Sequence, residues 1–364
     1  MSSDKAKLLF APMAYARYDE NETLPKKFER MLEKSGLDKK VSGKTVAIKM
    51  HVGSGTNYST IPPVFIRALV DYVKKSGGNC FLTDHYIQSR HPENRGYTES
   101  ILGAPILEAC AFTGKYVYTK EIEYKSFNHC DIAGLIHDAD FFINLSHVKG
   151  HGACGFGGAC KNIAMGCVTD RTRQELHGLE GGLVWDKEKC THCELCIGSC
   201  NHHANSFEDG EYSVFYHHCT LCQHCVKVCP TNAITLDSHD YLDFQMGMAI
   251  ATKTVLEKFL PDNLYHINVM LAITALCDCW GLTTPSLVPD IGILAGDDIV
   301  AVERASLDMI KTEDLIKVGV PQGMELGESG HLFERLHGTN PYTQLDALES
   351  VGLGTQEYEL QTVK

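Results

Sequence analysis

Residues 140–162 read DFFINLSHVKGHGACGFGGACKN. The opening run, Asp140–Ser146, is almost continuously apolar, too short for a helix and rich in strand formers. That is how a strand buried on both faces reads, and such strands belong to parallel sheets covered by helices. The remainder of the stretch is polar and Gly-rich: His147-Val148-Lys149-Gly150-His151, then Gly152 to Gly158, with Lys161 and Asn162 opening a helix. Working outward, the same alternation recurs. Thr45–Met50 is a β-rich run, and Pro62–Ser76 puts Phe65, Leu69, Tyr72 and Val73 on one helical face. Asn79–Thr83 is a further strand and Thr98–Thr113 reads as a helix. Leu8–Ala16 reads as a first core strand, and Tyr265–Leu276 and Asp290–Leu294 as late ones. The alternation predicts an α/β fold with a largely parallel sheet and helices on both faces.

The chain has 364 residues, 33 Lys plus Arg against 46 Asp plus Glu, and a net charge of −13. Its length suits two or three domains. The acidic balance argues against nucleic acid and anionic membrane surfaces, both of which need a basic face. No run of 18 apolar residues exists, so no membrane span is expected. Lys5 and Lys7 before Leu8–Ala16 mimic a secretory leader, but Pro12 interrupts that short run and the strand reading is preferred. The 16 cysteines are then expected in a reducing cytoplasm, where clustered thiols are metal ligands more often than disulfides.

Eight of those cysteines form two copies of C-x2-C-x2-C-x3-C: Cys190, Cys193, Cys196, Cys200, and 29 residues later Cys219, Cys222, Cys225, Cys229. Three thiolates at this spacing wrap one corner of a cluster, and the fourth points toward a neighbouring cluster. The pattern predicts crossed ligation, with Cys190, Cys193, Cys196 and Cys229 on one 4Fe–4S cluster and Cys219, Cys222, Cys225 and Cys200 on the other. Zinc sites normally use two separated C-x2-C pairs instead. Between the copies, Asp209-Gly210 marks a hairpin turn. Residues 183–236 resemble a bacterial 2×4Fe–4S ferredoxin along their length, with Pro230 after the second copy and Asn201 in place of the usual Pro after the first. The expected organisation is an α/β domain from 1–182 and 237–364, with a ferredoxin-like α+β module at 183–236 inserted into it.

Ligands of open α/β sheets bind beyond the carboxyl ends of the strands. There the sequence puts His51, Asp84-His85 and His147 through His151, a cationic, titratable set. His51, His85, His147, His151 and Lys161 are the acid/base candidates, with Lys149 and Lys161 as anion holders. Gly155, Gly157 and Gly158 offer backbone N–H groups to an anion, or serve turn geometry alone. The sequence has no G-x4-G-K-[ST] pattern, which argues against a nucleoside triphosphate, and no Gly-rich turn of dinucleotide spacing leads directly from a strand into a helix to support NAD or FAD. Cys277-Asp278-Cys279 comes after an apolar strand; metal ligation, a redox role and plain turn packing all remain open for it.

The Ile48–Gly53 turn, the His147–Cys167 stretch, Cys277-Asp278-Cys279 and Val288–Ala295 together resemble the family called domain of unknown function 362. Many of its members carry a ferredoxin insert at this place, and the resemblance implies an iron–sulfur protein of anaerobic metabolism without implying a reaction. His151, Gly155-Phe156-Gly157-Gly158 and Lys161 are also similar to a stretch of nickel-pincer lactate racemases, with Gly157 where that family has Ser. In those enzymes the His is an acid/base and the Lys carries the cofactor. The residues are compatible with three functions. The first is a redox enzyme in which two clusters relay electrons, from a partner such as a ferredoxin or flavodoxin, to a small anionic substrate or cofactor at the strand ends. The second is an electron carrier that docks a partner enzyme, and the third a non-redox isomerase or transferase.

Overall fold

The structure is a computed structural model describing residues 5–85, 87–200, 203–215, 224–236 and 241–364. Its centre is a sheet of eight strands: Ala6–Pro12 (β1), Thr45–Met50 (β2), Asn79–Asp84 (β3), Ile106–Glu108 (β4), Phe141–His147 (β5), Leu264–Met270 (β6), Gly292–Gly296 (β7) and Tyr358–Thr362 (β8). The spatial order is β8-β1-β7-β6-β5-β2-β3-β4. Only β7 opposes its neighbours, β1 and β6; every other pairing is parallel.

The apolar strand runs are long because both faces are covered. Along β5, Phe141, Ile143 and Leu145 enter a core shared with Leu24–Lys34 (α1) and Pro63–Lys75 (α2), where Phe28 meets Phe65 edge-on at 5.9 Å. Phe142, one residue out of phase, enters the opposite core, built on Ala159–Ala164 (α3), Asp170–Gly178 (α4), Tyr241–Leu256 (α5), Ile299–Met309 (α6) and Tyr342–Ser350 (α7). Asn144 shares that second face. Its Nδ2 donates to the carbonyl of Ala159 at 2.9 Å, so the polar residue in an apolar strand is itself satisfied and ties β5 to the first turn of α3.

Four boundaries differ from the expectation. The first strand, expected over Leu8–Ala16, begins two residues earlier and ends at Pro12. Thr98–Thr113 is helical only at Glu99–Leu102, because Gly103 at φ +80° caps that turn and Pro105 prevents its continuation. Ile106–Glu108 then joins the sheet as β4. The strand expected over Tyr265–Leu276 ends at Met270, and Ala272 at φ +46° turns the chain toward the loop carrying Cys277. The strand expected at Asp290–Leu294 lies two residues later as β7.

None of the described residues of 183–236 joins the large sheet. Leu183–Trp185 pairs antiparallel with Ile234–Leu236, and Asn205–Glu208 with Glu211–Val214. Asp209 and Gly210 both have positive φ in the intervening two-residue turn, as the Asp-Gly pair predicts. Short helices at Leu195–Gly198 and His224–Val228 bury Cys196 and Cys225 against Ile234. Among the described residues, no helix is long and apolar enough to cross a membrane.

Candidate functional site

From β2 the chain moves outward to β3 and β4, whereas from β5 it moves the other way to β6. The order therefore reverses between β5 and β2, where a crevice opens beyond the carboxyl ends of the strands. A cavity of about 290 Å³ lies there. Among the described residues its wall carries five side-chain cations, Lys49, Arg90, Lys149, Lys161 and Arg173, against the carboxylates of Asp84 and Glu180. His51, His85 and His151 also line it, while His147 does not.

One wall is organised by Asp84, which is buried at the end of β3. Its carboxylate accepts from Lys49 Nζ at 3.0 Å, from His51 Nδ1 at 3.0 Å and from the amide of Val52 at 3.1 Å. Burial alone would raise its pKa; the Lys49 ammonium and His51 outweigh it and hold the carboxyl well below the usual range. Burial pushes His51 down to about 4 despite that partner. With Nδ1–H donating to Asp84, Nε2 of the neutral ring faces Arg90 Nη1 at 3.2 Å. Asn162 locks this wall to α3: its Oδ1 accepts from Lys49 Nζ at 2.6 Å, and its Nδ2 donates to Asn144 Oδ1 at 2.7 Å.

The opposite wall gathers His151, Cys277 and Cys279, whose donor atoms all lie within 4.8 Å of one another. Lys161 Nζ sits 3.1 Å from Cys277 Sγ and 3.6 Å from Cys279 Sγ. Burial alone would lower the pKa of this ammonium, and the facing sulfurs outweigh it, so it is raised. The hydrogen bond between the two sulfurs, reinforced by Lys161, holds the Cys277 thiol well below its ordinary pKa, and the same bond pushes Cys279 up. Nδ1 of His151 accepts from the amides of Ala153 and Cys154 at 3.2 and 3.4 Å.

Asp278 explains why two cysteines sit on either side of an acid. Its buried carboxylate accepts from His147 Nδ1 at 2.8 Å, Lys149 Nζ at 3.2 Å and Asn57 Nδ2 at 3.1 Å. The other nitrogen of His147 faces the carbonyl of Leu271 at 2.8 Å. His147 thus braces the loop between two acceptors beneath the cavity, and its geometry fits positioning rather than proton transfer.

The glycine loop also differs from the expectation. Gly155–Gly157 is a strand paired with Lys149–His151, and neither Gly155 nor Gly157 lines the cavity; Gly158 does. Gly155 holds φ +77° against Pro341, and a Cβ on Gly158 would lie 2.2 Å from Glu303 Oε2. Close packing, against the Pro341 backbone for Gly155 and against the Glu303 and Phe156 side chains for Gly158, accounts for these two glycines without an anion.

Away from the cavity, Cys190, Cys193, Cys196 and Cys229 line one small pocket, together with Thr231, Ala233 and Ile234. Three come from the first copy of the repeat and one from the second. Cys200 and Cys229, the fourth cysteines of the copies, each accept an amide hydrogen bond from four residues on, Ala204 N at 3.3 Å and Ala233 N at 3.2 Å. Cys219 and Cys222 lie outside the described residues.

The profile of the family described as "Domain of unknown function (DUF362)" matches residues 46–308, well over half of the chain. The chain belongs to this family. No curated protein matches its sequence. Among solved structures, the lactate racemase apoprotein from Thermoanaerobacterium thermosaccharolyticum aligns at 13% identity and TM-score 0.37, over 80% of this chain and 54% of that one. A protein from Thermotoga maritima aligns at 10% identity and TM-score 0.37, over 70% and 52%. The chain spans about half the length of both.

The strand ends that the sequence singles out meet in one cavity, but several of its residues carry no motif. Arg90 and Arg173 line it from short helices that have no pattern of their own. Lys49 has a legible signal, a lone charge inside the buried run Thr45–Met50.

Proposed function

We propose that this DUF362 protein is an iron–sulfur redox enzyme that delivers low-potential electrons, received from a redox partner protein, to a small anionic substrate at the strand-end cavity. The observation that carries the reading is the meeting of Cys190, Cys193 and Cys196 with Cys229 around one pocket, the crossed set that a two-cluster ferredoxin pattern requires. Four thiolates with amide donors at Cys229 fit the donor chemistry of a 4Fe–4S cluster. Cys200 and Cys225, with Cys219 and Cys222, would hold the second. Bound clusters would supply one-electron transfer at potentials tuned by such N–H···S bonds.

The chain's own residues supply the rest. Five cations in a partly enclosed cavity favour an anion, since reduced screening strengthens each interaction. Reduction of an organic substrate also consumes protons, and His51, His85, His151 and Lys161 stand along the wall to hold or pass them. The reading assigns the protein to a reducing compartment, where its thiolates persist.

The test is anaerobic. Protein with its clusters intact should contain roughly eight iron and eight acid-labile sulfide per chain, be reduced by dithionite, and be reoxidised by at least one small carboxylate or phosphate ester in a screen. Iron absent after anaerobic isolation would sink the cluster assignment. Clusters that no anionic compound reoxidises would sink the enzyme assignment.

A further inference from the structure

We infer that His151, Cys277 and Cys279 form a mononuclear metal site in the wall of the strand-end cavity, built for a thiophilic divalent cation of the zinc class and open to an anionic ligand on its fourth side.

The donor set is the first argument. Two sulfurs and one imidazole nitrogen, mutually within 4.8 Å, surround a space of the size one cation fills. Thiolate with imidazole selects zinc-class ions over magnesium or calcium, which prefer oxygen. Three protein ligands also leave a position for water or substrate, whereas structural zinc sites are closed by four. The second argument is what stands there now. Lys161 Nζ lies 3.1 and 3.6 Å from the two sulfurs, so a positive charge already occupies the focus of the donors. A divalent ion would take the ammonium's place and free Lys161 to face the cavity.

The third argument is rigidity. Cys277 and Cys279 flank Asp278, which three donors from separate segments pin: His147 at 2.8 Å, Asn57 at 3.1 Å and Lys149 at 3.2 Å. That brace fixes the backbone that carries both sulfurs, which is how outer partners orient metal ligands. Ligation through His151 Nδ1 would exchange two neutral amide hydrogen bonds, from Ala153 at 3.2 Å and Cys154 at 3.4 Å, for one bond to the metal.

The site shares its cavity with the proposed substrate, but its test does not depend on the cluster assignment. Anaerobically isolated full-length protein is incubated with zinc chloride, desalted, and analysed for zinc and iron together; zinc-edge X-ray absorption then reports the ligands. The expected result is about one tightly held zinc per chain with two sulfurs and one nitrogen in its first shell. In Cys279→Ser and His151→Gln proteins zinc retention should drop at least tenfold while iron content stays at the wild-type level. Removing the competing ammonium with Lys161→Met should leave zinc retention equal or higher. Wild-type protein with full iron and no retained zinc overturns the site and leaves the cluster reading standing. Zinc held equally by both ligand variants, or a first shell of four sulfurs, overturns it too, because the metal then sits on the repeat cysteines. Zinc with two sulfurs and one nitrogen in a protein without iron supports the site and removes the cluster reading instead.

Discussion

Lys49 shows how strongly a single charge can be tied to a fold. It is buried within β2, and its ammonium reaches Asp84 at 3.0 Å and Asn162 at 2.6 Å. Taking away the ammonium leaves a buried carboxylate with only His51 and one amide. Lys49→Met should therefore destabilise by about 3–5 kcal/mol, the cost of breaking a buried pair from one side, seen as a lower urea midpoint. A loss below about 1 kcal/mol would mean that water solvates Asp84 freely. Glu303 makes the opposite case. Burial raises it to about 7 although Cys160 N donates to it at 2.7 Å and Asn268 Nδ2 at 3.2 Å. Its folded pKa lies above the unfolded one, so the folded state binds the extra proton. The stability it contributes is full below about pH 4.3 and is lost as pH rises toward 7. Glu303→Gln should abolish that decline, measured as the difference in unfolding midpoint between wild type and variant across pH 4.5–7.5 at fixed salt; an unchanged difference would refute the assignment. Neither role is legible in the sequence beyond the oddity of a charge inside an apolar run, because both depend on residues far along the chain.

Elements are legible in proportion to how much of their pattern is local. Thr45–Met50, Pro63–Lys75 and Phe141–His147 carry their periodicity over six or more residues, and the sequence pattern marks nearly these bounds. Ile106–Glu108 has three residues and no periodicity, and the reversed direction of Gly292–Gly296 is a fact of its partners that hydrophobicity does not encode. The residue types of the glycine stretch suit turns, yet Gly155–Gly157 pairs with Lys149–His151 since the small residues admit close neighbours. At the start of α3 that tightness becomes testable. A Cβ on Gly158 would lie 2.2 Å from Glu303 Oε2, and the carboxylate is held by Cys160 and Asn268. Gly158→Ala should cost about 1–3 kcal/mol, the usual penalty of overpacking. Because α3 carries Lys161 and Asn162, the same substitution should also disturb the cavity, weakening anion binding, whereas Gly198→Ala, with open space around its Cβ and no part in the cavity wall, should do neither.

Across the whole molecule, a net charge of −13 coexists with a cavity wall of five cations and two carboxylates among the described residues. The net charge disfavours anions around the molecule taken together, whereas the excess of cations on the described cavity wall favours one there. That arrangement separates an enzyme from a carrier. A carrier uses its surface to dock a partner, and a change inside the crevice leaves electron delivery intact. An enzyme that reduces an anion there depends on the crevice wall, and His51, neutral and held between Asp84 and Arg90, is one of the groups in place to pass a proton. His51→Gln keeps a hydrogen-bonding side chain of similar reach. With dithionite-reduced protein, the variant should accept electrons at the wild-type rate and show the same cluster signals. Its reoxidation by the effective substrate should be slower by about 10²–10⁴-fold, the usual weight of a positioned acid/base group. Reoxidation by a partner ferredoxin should be unaffected. Equal rates with both oxidants in wild type and variant would favour the carrier, since the crevice would then have no part in where the electrons go.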